Sequence, residues 1–286
     1  MDIVELRSDT FTRPTREMLK AMADAELGDD VWGEDPTAIS LQEHCAEMFG
    51  MEPGLFVPSG TMGNETALKA LTNPGDDVIV ESRSHIVLYE HGAPGVISGV
   101  VLRLIDGARI FNASVASGVP VRDYAAEVDA LSFCFSKGLG APVGSMLLGT
   151  QELIDRARVI RQMLGGGMRQ VGLLCAAARV AVDTMVDRLA EDHENARALA
   201  EGFADAAPDS VDPSTVDTNM VYVDLPGRDA DAIVRSMWDD GVRVAALGPT
   251  RIRAVTNKEV DRPGIERAIA SFAAATRSKT LLANAS

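Results

Sequence analysis

The chain has 286 residues, 46% hydrophobic and 24% charged, with a formal net charge of −15. That size and balance suit one large domain or two ordinary ones around a real core, and no apolar run approaches the ~20 residues of a membrane span. The acidic start Met1-Asp2-Ile3-Val4-Glu5 is unlike a secretory signal, three cysteines (Cys45, Cys134, Cys175) without a Cys-x-x-Cys pair exclude a disulfide framework and a zinc ribbon, and so acidic a surface argues against generic binding to nucleic acid or anionic lipid.

These features describe a soluble, cytoplasmic protein. Its basic residues are five lysines against twenty-two arginines, and twenty-five of its 42 acids are aspartate. An acidic, lysine-poor surface suits a cytoplasm of very high salt, where screening shortens to ~3 Å at 1 M; an ordinary acidic enzyme is the plainer alternative.

In chain order, Asp35-Pro36 reads as an N-cap with proline at N1, opening a helix that stops near Gly50. Leu55-Phe56-Val57 is a short strand, and a helix follows over roughly 64–71. Apolar runs at 78–80, 100–105, 131–135 and 143–148 predict further strands. A long helical stretch covers about 169–204. The last third predicts a strand at 219–225, a helix at 230–239, two strands pairing across Gly248-Pro249, and a closing helix over 262–276. Strands alternating with helices predict an α/β large domain with a mostly parallel sheet over 1–205, then a small α+β domain over 206–286.

Four elements past these strands can carry chemistry. Lys137 follows an apolar strand and precedes Gly138-Leu139-Gly140-Ala141-Pro142. An amine held among small and apolar groups loses hydration and becomes available for Schiff-base formation, although a lysine snorkelling from a strand end would look the same. Asp106 follows the 100–105 run, at the sheet edge where α/β proteins meet ligands, and could keep a pyridinium nitrogen protonated; Asp106-Gly107 is also a common turn pair. Ser59, Gly60 and Thr61 stand between strand and helix, as a phosphate cradle or an ordinary cap. His85 lies just past a strand and could stack on a flat ring or be structural. His91 offers no metal-ligand spacing beside it, so no metal site is expected. In this order the four form the site plan of a pyridoxal 5′-phosphate (PLP) enzyme.

At this point the sequence resembles the low-specificity L-threonine aldolase family, within the β-eliminating lyase group of fold type I PLP enzymes. The resemblance rests on Leu6-Arg7-Ser8-Asp9-Thr10, Gly28-Asp29-Asp30-Val31-Trp32-Gly33, Pro58-Ser59-Gly60-Thr61, Asp106-Gly107-Ala108-Arg109-Ile110-Phe111-Asn112-Ala113, Ser136-Lys137-Gly138-Leu139-Gly140-Ala141-Pro142-Val143-Gly144-Ser145 and Gly165-Gly166-Gly167-Met168-Arg169-Gln170. It runs from residue 3 to about 276. It implies that Lys137 forms the Schiff base, Asp106 pairs with the ring nitrogen, His85 stacks on the ring, and Gly60 and Thr61 hold the phosphate. Ser8, Arg109 and Arg253 match the positions that hold the substrate carboxylate, a task suited to arginine's fork, and Arg169 matches a phosphate contact across a subunit boundary. The implied reaction is cleavage of L-threonine or L-allo-threonine to glycine and acetaldehyde, in a tetramer built from dimers with shared sites.

The chain also departs from the family. Between the strand near Val101 and Asp106 the family carries roughly two further βαβ units, about 60 residues, including a Glu-Asn-Thr-His segment whose histidine lies in the active site. Here Leu102-Arg103-Leu104-Ile105 runs straight into Asp106. Residues 86–99 are long enough for a parallel crossover, which needs a dozen or more, so the strand before His85 can pair directly with the strand before Asp106. Their spacing would then be ~4.8 Å in place of ~9.6 Å. Site geometry tolerates far less, since ~1 Å of misplacement can cost ~100-fold. The expectation is a recognisable scaffold with weakened aldolase activity. The alternatives are a decayed family member without catalysis, which the missing segment favours, and another fold type I PLP lyase, over which the Asp-Gly-Ala-Arg and Gly-Gly-Gly-Met-Arg-Gln motifs favour the aldolase.

Overall fold

Asp35 shows how this chain turns local sequence into structure. Its carboxylate accepts from Ala38 N (2.9 Å), capping the helix that Pro36 opens, and also from Gly28 N (3.3 Å) and Gly172 N (2.9 Å). One buried aspartate thus ties three segments together, and its charge is met by backbone N–H groups and the positive end of a helix. The computed structural model describes residues 3–79, 85–103 and 109–277.

In chain order the elements are β1 (Val4–Glu5), α1 (Arg16–Asp24), α2 (Pro36–Phe49), β2 (Gly54–Val57), α3 (Gly60–Leu71), β3 (Asp77–Ile79), α4 (His85–Leu88), β4 (Val101–Arg103), α5 (Ile110–Ser117), α6 (Val121–Ala125), β5 (Ala130–Cys134), β6 (Ser145–Gly149), α7 (Gln151–Met163), α8 (Gly172–Met185), α9 (Leu189–Ala206), β7 (Met220–Asp224), α10 (Ala230–Asp239), β8 (Val242–Arg243), β9 (Ala245–Ala246), β10 (Arg251–Val255) and α11 (Arg262–Arg277). Side-chain caps set several helix starts: Thr15 for α1, Ser59 for α3, Thr150 for α7 and Asp229 for α10.

The chain divides into two units, one running from Arg13 to Val186 and one joining the N-terminal residues through Thr12 to the chain from Asp187 onward. The first unit corrects the expected mostly parallel sheet. β6 lies between β2 and β5 and runs antiparallel to both, with Phe56 opposite Met146 and Phe133 opposite Met146 from the other side. Ten residues, 135–144, join β5 to β6, fewer than a parallel crossover requires, so the chain must return antiparallel. β2 and β6 are buried along their whole length. They therefore read as continuous apolar runs, the pattern that parallel strands also show. Among the described residues of this unit, parallel pairing is confined to β3 and β4, where Asp77, Val78 and Ile79 pair with Val101, Leu102 and Arg103. This is the direct pairing that the shortened sequence allows. Helix α3 packs on α7 and on the sheet, α1 on α8, and an aromatic cluster of Phe49, Phe111, Phe133 and Phe135 fills the core beside β5.

In the second unit, β7, β10 and β9 form an antiparallel sheet, and β8 pairs in parallel with β1. Its core includes Phe203 of α9 stacked on Phe272 of α11 at 4.1 Å. The long helical stretch expected over about 169–204 is made of two helices, α8 and α9. Within α8 the Thr184 hydroxyl donates to the Val180 carbonyl (2.7 Å), a competitor for the helical ladder one residue before the last turn ends. α9 restarts at Leu189, where Arg188 closes an ion pair with the buried Asp192.

Candidate active site

The loop after β5 places Lys137 where the strand runs out. Gly138, Leu139, Gly140 and Ala141 behind it are buried, and Gly140 N donates to the Lys137 carbonyl (2.8 Å), which bends the backbone back on itself. Lys137 lines a shallow open cleft together with Arg109, Asn112, Phe133 and Cys134. Arg109 enters from the start of α5. Two of the sequence-derived site residues, Lys137 and Arg109, therefore share one cleft.

The N-terminus of α3 adjoins it. A Cβ on Gly60 would stand 2.8 Å from Cys134 Sγ, so only glycine lets the first turn of α3 come this close to the cleft wall. Ser59 caps α3, its hydroxyl accepting from Met62 N (3.1 Å). Gly60 and Thr61 are the first two residues of that helix, whose N–H groups have no intrahelical acceptor and lie at the positive end of the dipole. Cys134 in turn accepts from Ser145 Oγ (3.2 Å), which ties β5 to β6 under the cleft.

His85 opens α4. Its ring is tilted against Tyr89, with centroids 5.3 Å apart, and the side chain is 42% exposed. Its Nδ1 lies 2.8 Å from Glu90 Oε1, which also accepts from Asn64 Nδ2 of α3 at 2.8 Å. His85 is thus tied to the helix whose N-terminus adjoins the cleft. Asp106 lies outside the described residues. Ser8 and Arg253 belong to the other unit. There Ser8 caps a single turn, accepting from Thr10 N and Thr10 Oγ1, and Arg253 Nη2 donates to the carbonyl of Arg7 (3.1 Å). The chain thus sets the guanidinium of Arg253 one residue from Ser8.

Several supporting contacts had no clear sequence signal. Asp30 and Arg161 form a buried ion pair (2.6 Å), and Arg161 also donates to the Phe56 carbonyl (2.8 Å), bracing the strand that leads to Ser59. Burial pulls the Arg161 guanidinium down and Asp30 pushes it back up. Arg169 pairs with Asp29 (3.2 Å), and Asp30 N donates to the Arg169 carbonyl (3.0 Å), so the Gly-Asp-Asp and Gly-Gly-Gly-Met-Arg motifs meet in space. The acidic doublet and the distant arginine were each visible; their pairing was not. Cys45 and Cys175 are buried thiols, Cys45 pushed up to about 12 by burial, which rules both out as nucleophiles near neutral pH.

Residues 5–105 and 101–226 match the family model described as beta-eliminating lyase. The two stretches meet at 101–105. The probable low-specificity L-threonine aldolase 2 of Arabidopsis thaliana is 38% identical over 340 aligned positions, covering 94% of this chain and 96% of the relative. The alignment is longer than the chain itself, so the relative carries a substantial stretch that this chain lacks. Among solved structures, a putative aromatic amino acid β-eliminating lyase/threonine aldolase from Exiguobacterium sp. 255-15 superposes with a TM-score of 0.77 at 18% identity, covering 93% of this chain and 98% of that one. A variant of SPT with PLP superposes with a TM-score of 0.72 at 15% identity, covering 96% of this chain and 88% of that one.

Proposed function

The chain belongs to the β-eliminating lyase family, as a PLP-dependent lyase close to the low-specificity L-threonine aldolases, and on that footing we propose that it cleaves L-threonine or L-allo-threonine to glycine and acetaldehyde, more slowly than its longer relatives. The observation that carries the reading is the cleft that holds Lys137 and Arg109 and adjoins the N-terminus of α3. That arrangement fits PLP: an amine for its aldehyde, helix N–H groups for its phosphate, and a glycine that clears their approach.

When bound, PLP supplies the electron sink for breaking the Cα–Cβ bond. The chain's own residues do the rest. Lys137 holds the cofactor through its amine. Gly60 and Thr61 hold the phosphate, with Ser59 fixing the turn that presents them. Arg109 grips the substrate carboxylate by its planar fork. Ser8 and Arg253 carry, by resemblance, further carboxylate binding, and Asp106 carries the ring-nitrogen contact. His85 stacks on the ring; with Nδ1 directed at Glu90, its Nε2 is the atom left to accept the β-hydroxyl proton. We further propose a homo-oligomer, dimer or tetramer, in the cytoplasm. Among the described residues no helix is long and apolar enough to cross a membrane.

The reduced rate follows from the break at 101–105 and the extra aligned positions of the relatives. The direct β3–β4 pairing leaves no room for an intervening strand at that place. The test is PLP capture: load the protein, trap with borohydride, and find the modified residue by mass spectrometry. Label on Lys137, absent in Lys137→Ala, with slow acetaldehyde release from L-threonine, is the expected result. Grafting the relative's extra segment ahead of Asp106 should then raise kcat at least tenfold. A folded protein without label, or one already as fast as the graft, overturns the proposal.

A further inference from the structure

The second unit exposes a cluster of aromatic rings and arginines that the proposed chemistry does not use. β1 and β8 pair in parallel, and Val4, Leu6, Val242 and Val244 are buried in the core. The alternation turns Glu5 and Arg243, partners in register, to the opposite face. There Arg7 Cζ stands 4.2 Å from the ring centroid of Phe11 and 5.3 Å from that of Trp238. Arg243 Cζ stands 3.4 Å from the same indole. Both rings remain open to solvent, Phe11 at 46% and Trp238 at 44%. A guanidinium stacked on a ring is a weakly hydrated contact surface, and Trp, Phe and Arg are enriched where proteins meet.

Two charges in this cluster are left over. Arg7 is matched by Glu5, its Nε donating to Glu5 Oε1 at 2.9 Å. Arg243 is not matched. Its Nη1 donates to the Trp238 carbonyl (2.7 Å) near the end of α10, and among the described residues no carboxylate pairs with it. Asp239, the exposed last residue of α10, has no cation beside it among the described residues. It stands at the negative end of the helix dipole, where a carboxylate is unfavourable and a cation stabilises. Held over the indole and bonded to a backbone carbonyl, Arg243 forms no ion pair with the Asp239 of its own chain.

These unmet charges select the occupant. An anionic partner would suit Arg243 and be repelled by Asp239, and a cationic partner the reverse. A second copy related by a two-fold axis supplies both charges at once, because in such a contact the same patch meets itself and each pairing occurs twice. We propose that copies of this chain associate through this face, with Trp238 and Phe11 covered at the centre and Arg243 of one copy paired with Asp239 of the other. The proposal names a surface for the homo-oligomer proposed above and rests on that reading. A net charge of −15 holds copies apart wherever charges are not matched in this way.

Sedimentation velocity of the full chain, from micromolar to several hundred micromolar, reads the assembly directly. Asp239→Arg and Arg243→Asp should each halve the mass at a concentration where the unmutated chain is fully associated, raising the dissociation constant at least about tenfold. The double variant exchanges the two charges and should restore association. Trp238→Ala should behave like the single charge variants. A second measurement leaves the face unaltered. Trp32→Phe makes Trp238 the sole tryptophan, and its emission should shift to the red on dilution in step with the fall in mass. Circular dichroism identifies a variant that has not folded, and the emission on dilution then decides. Association that survives Asp239→Arg and Trp238→Ala overturns the proposal and leaves the homo-oligomer to another face. A double variant as weak as the single ones overturns it, and so does emission that ignores dilution while the mass falls. A chain that stays monomeric throughout sinks this surface and the homo-oligomer together. None of these results depends on whether borohydride labels Lys137.

Discussion

Glu65, buried on α3, makes the stability of the protein depend on pH. Folding raises its proton affinity, from an ordinary glutamate value of 4.5 to about 8, chiefly through burial. Stability from that proton is fully present below pH ~4.5 and is lost as pH rises through about 8, because the folded state must then hold a second buried charge that the unfolded chain leaves in water. Between pH 5 and 9 the midpoint of thermal unfolding should therefore fall by an amount corresponding to roughly 4 kcal/mol, and Glu65→Gln should flatten that slope. A variant whose Tm tracks the unmutated protein at every pH would contradict this. The same residue marks the limit of what the sequence discloses. Lys137 was legible because an apolar strand ending in lysine and followed by glycines is a rare local pattern, and it lines the cleft shared with Arg109. Glu65 was not, because a glutamate in an amphipathic helix reads as a solvated side chain, and only the packing of α3 on α7 and the sheet shows that it is buried.

The hairpin of β5 and β6 carries both Lys137 and the turn that returns the chain beneath it. Gly144 stands at that turn with φ near 111°, and an added Cβ would lie 2.4 Å from Cζ of Phe56. Phe56 is fully buried and stacked on Phe135, so the ring cannot move aside. Gly144→Ala should cost about 2–4 kcal/mol, from the strained backbone and the overpacked core together, measured by urea unfolding. A loss below ~1 kcal/mol would show that the hairpin absorbs the change. Helix starts were readable here because caps are local: Asp35, Ser59 and Asp229 each name the residue that follows. Strand direction was not. Gly54–Val57 and Ser145–Gly149 are buried on both faces, and a continuous apolar run contains no information about which way its neighbour points. Connection length does, and the ten residues between β5 and β6 were the available signal.

At the scale of the whole chain, charge and the shortened sheet act together. A net charge of −15 with few lysines to neutralise it makes the folded state repel itself, and salt relieves that repulsion. The unfolding midpoint should rise by several degrees between about 0.05 M and 1 M KCl, with most of the gain below the concentration at which the screening length reaches ~3 Å. A flat salt response would place the stability in packing alone. The three-stranded sheet has a second consequence. Among the described residues, β2 and β5 each pair on one side only, with β6. The outer rows of N–H and C=O groups on such strands are templates on which another chain can anneal. Salt that steadies each molecule also removes the repulsion that keeps copies apart, so the conditions best for the fold are those in which the protein is most inclined to aggregate through its sheet edges.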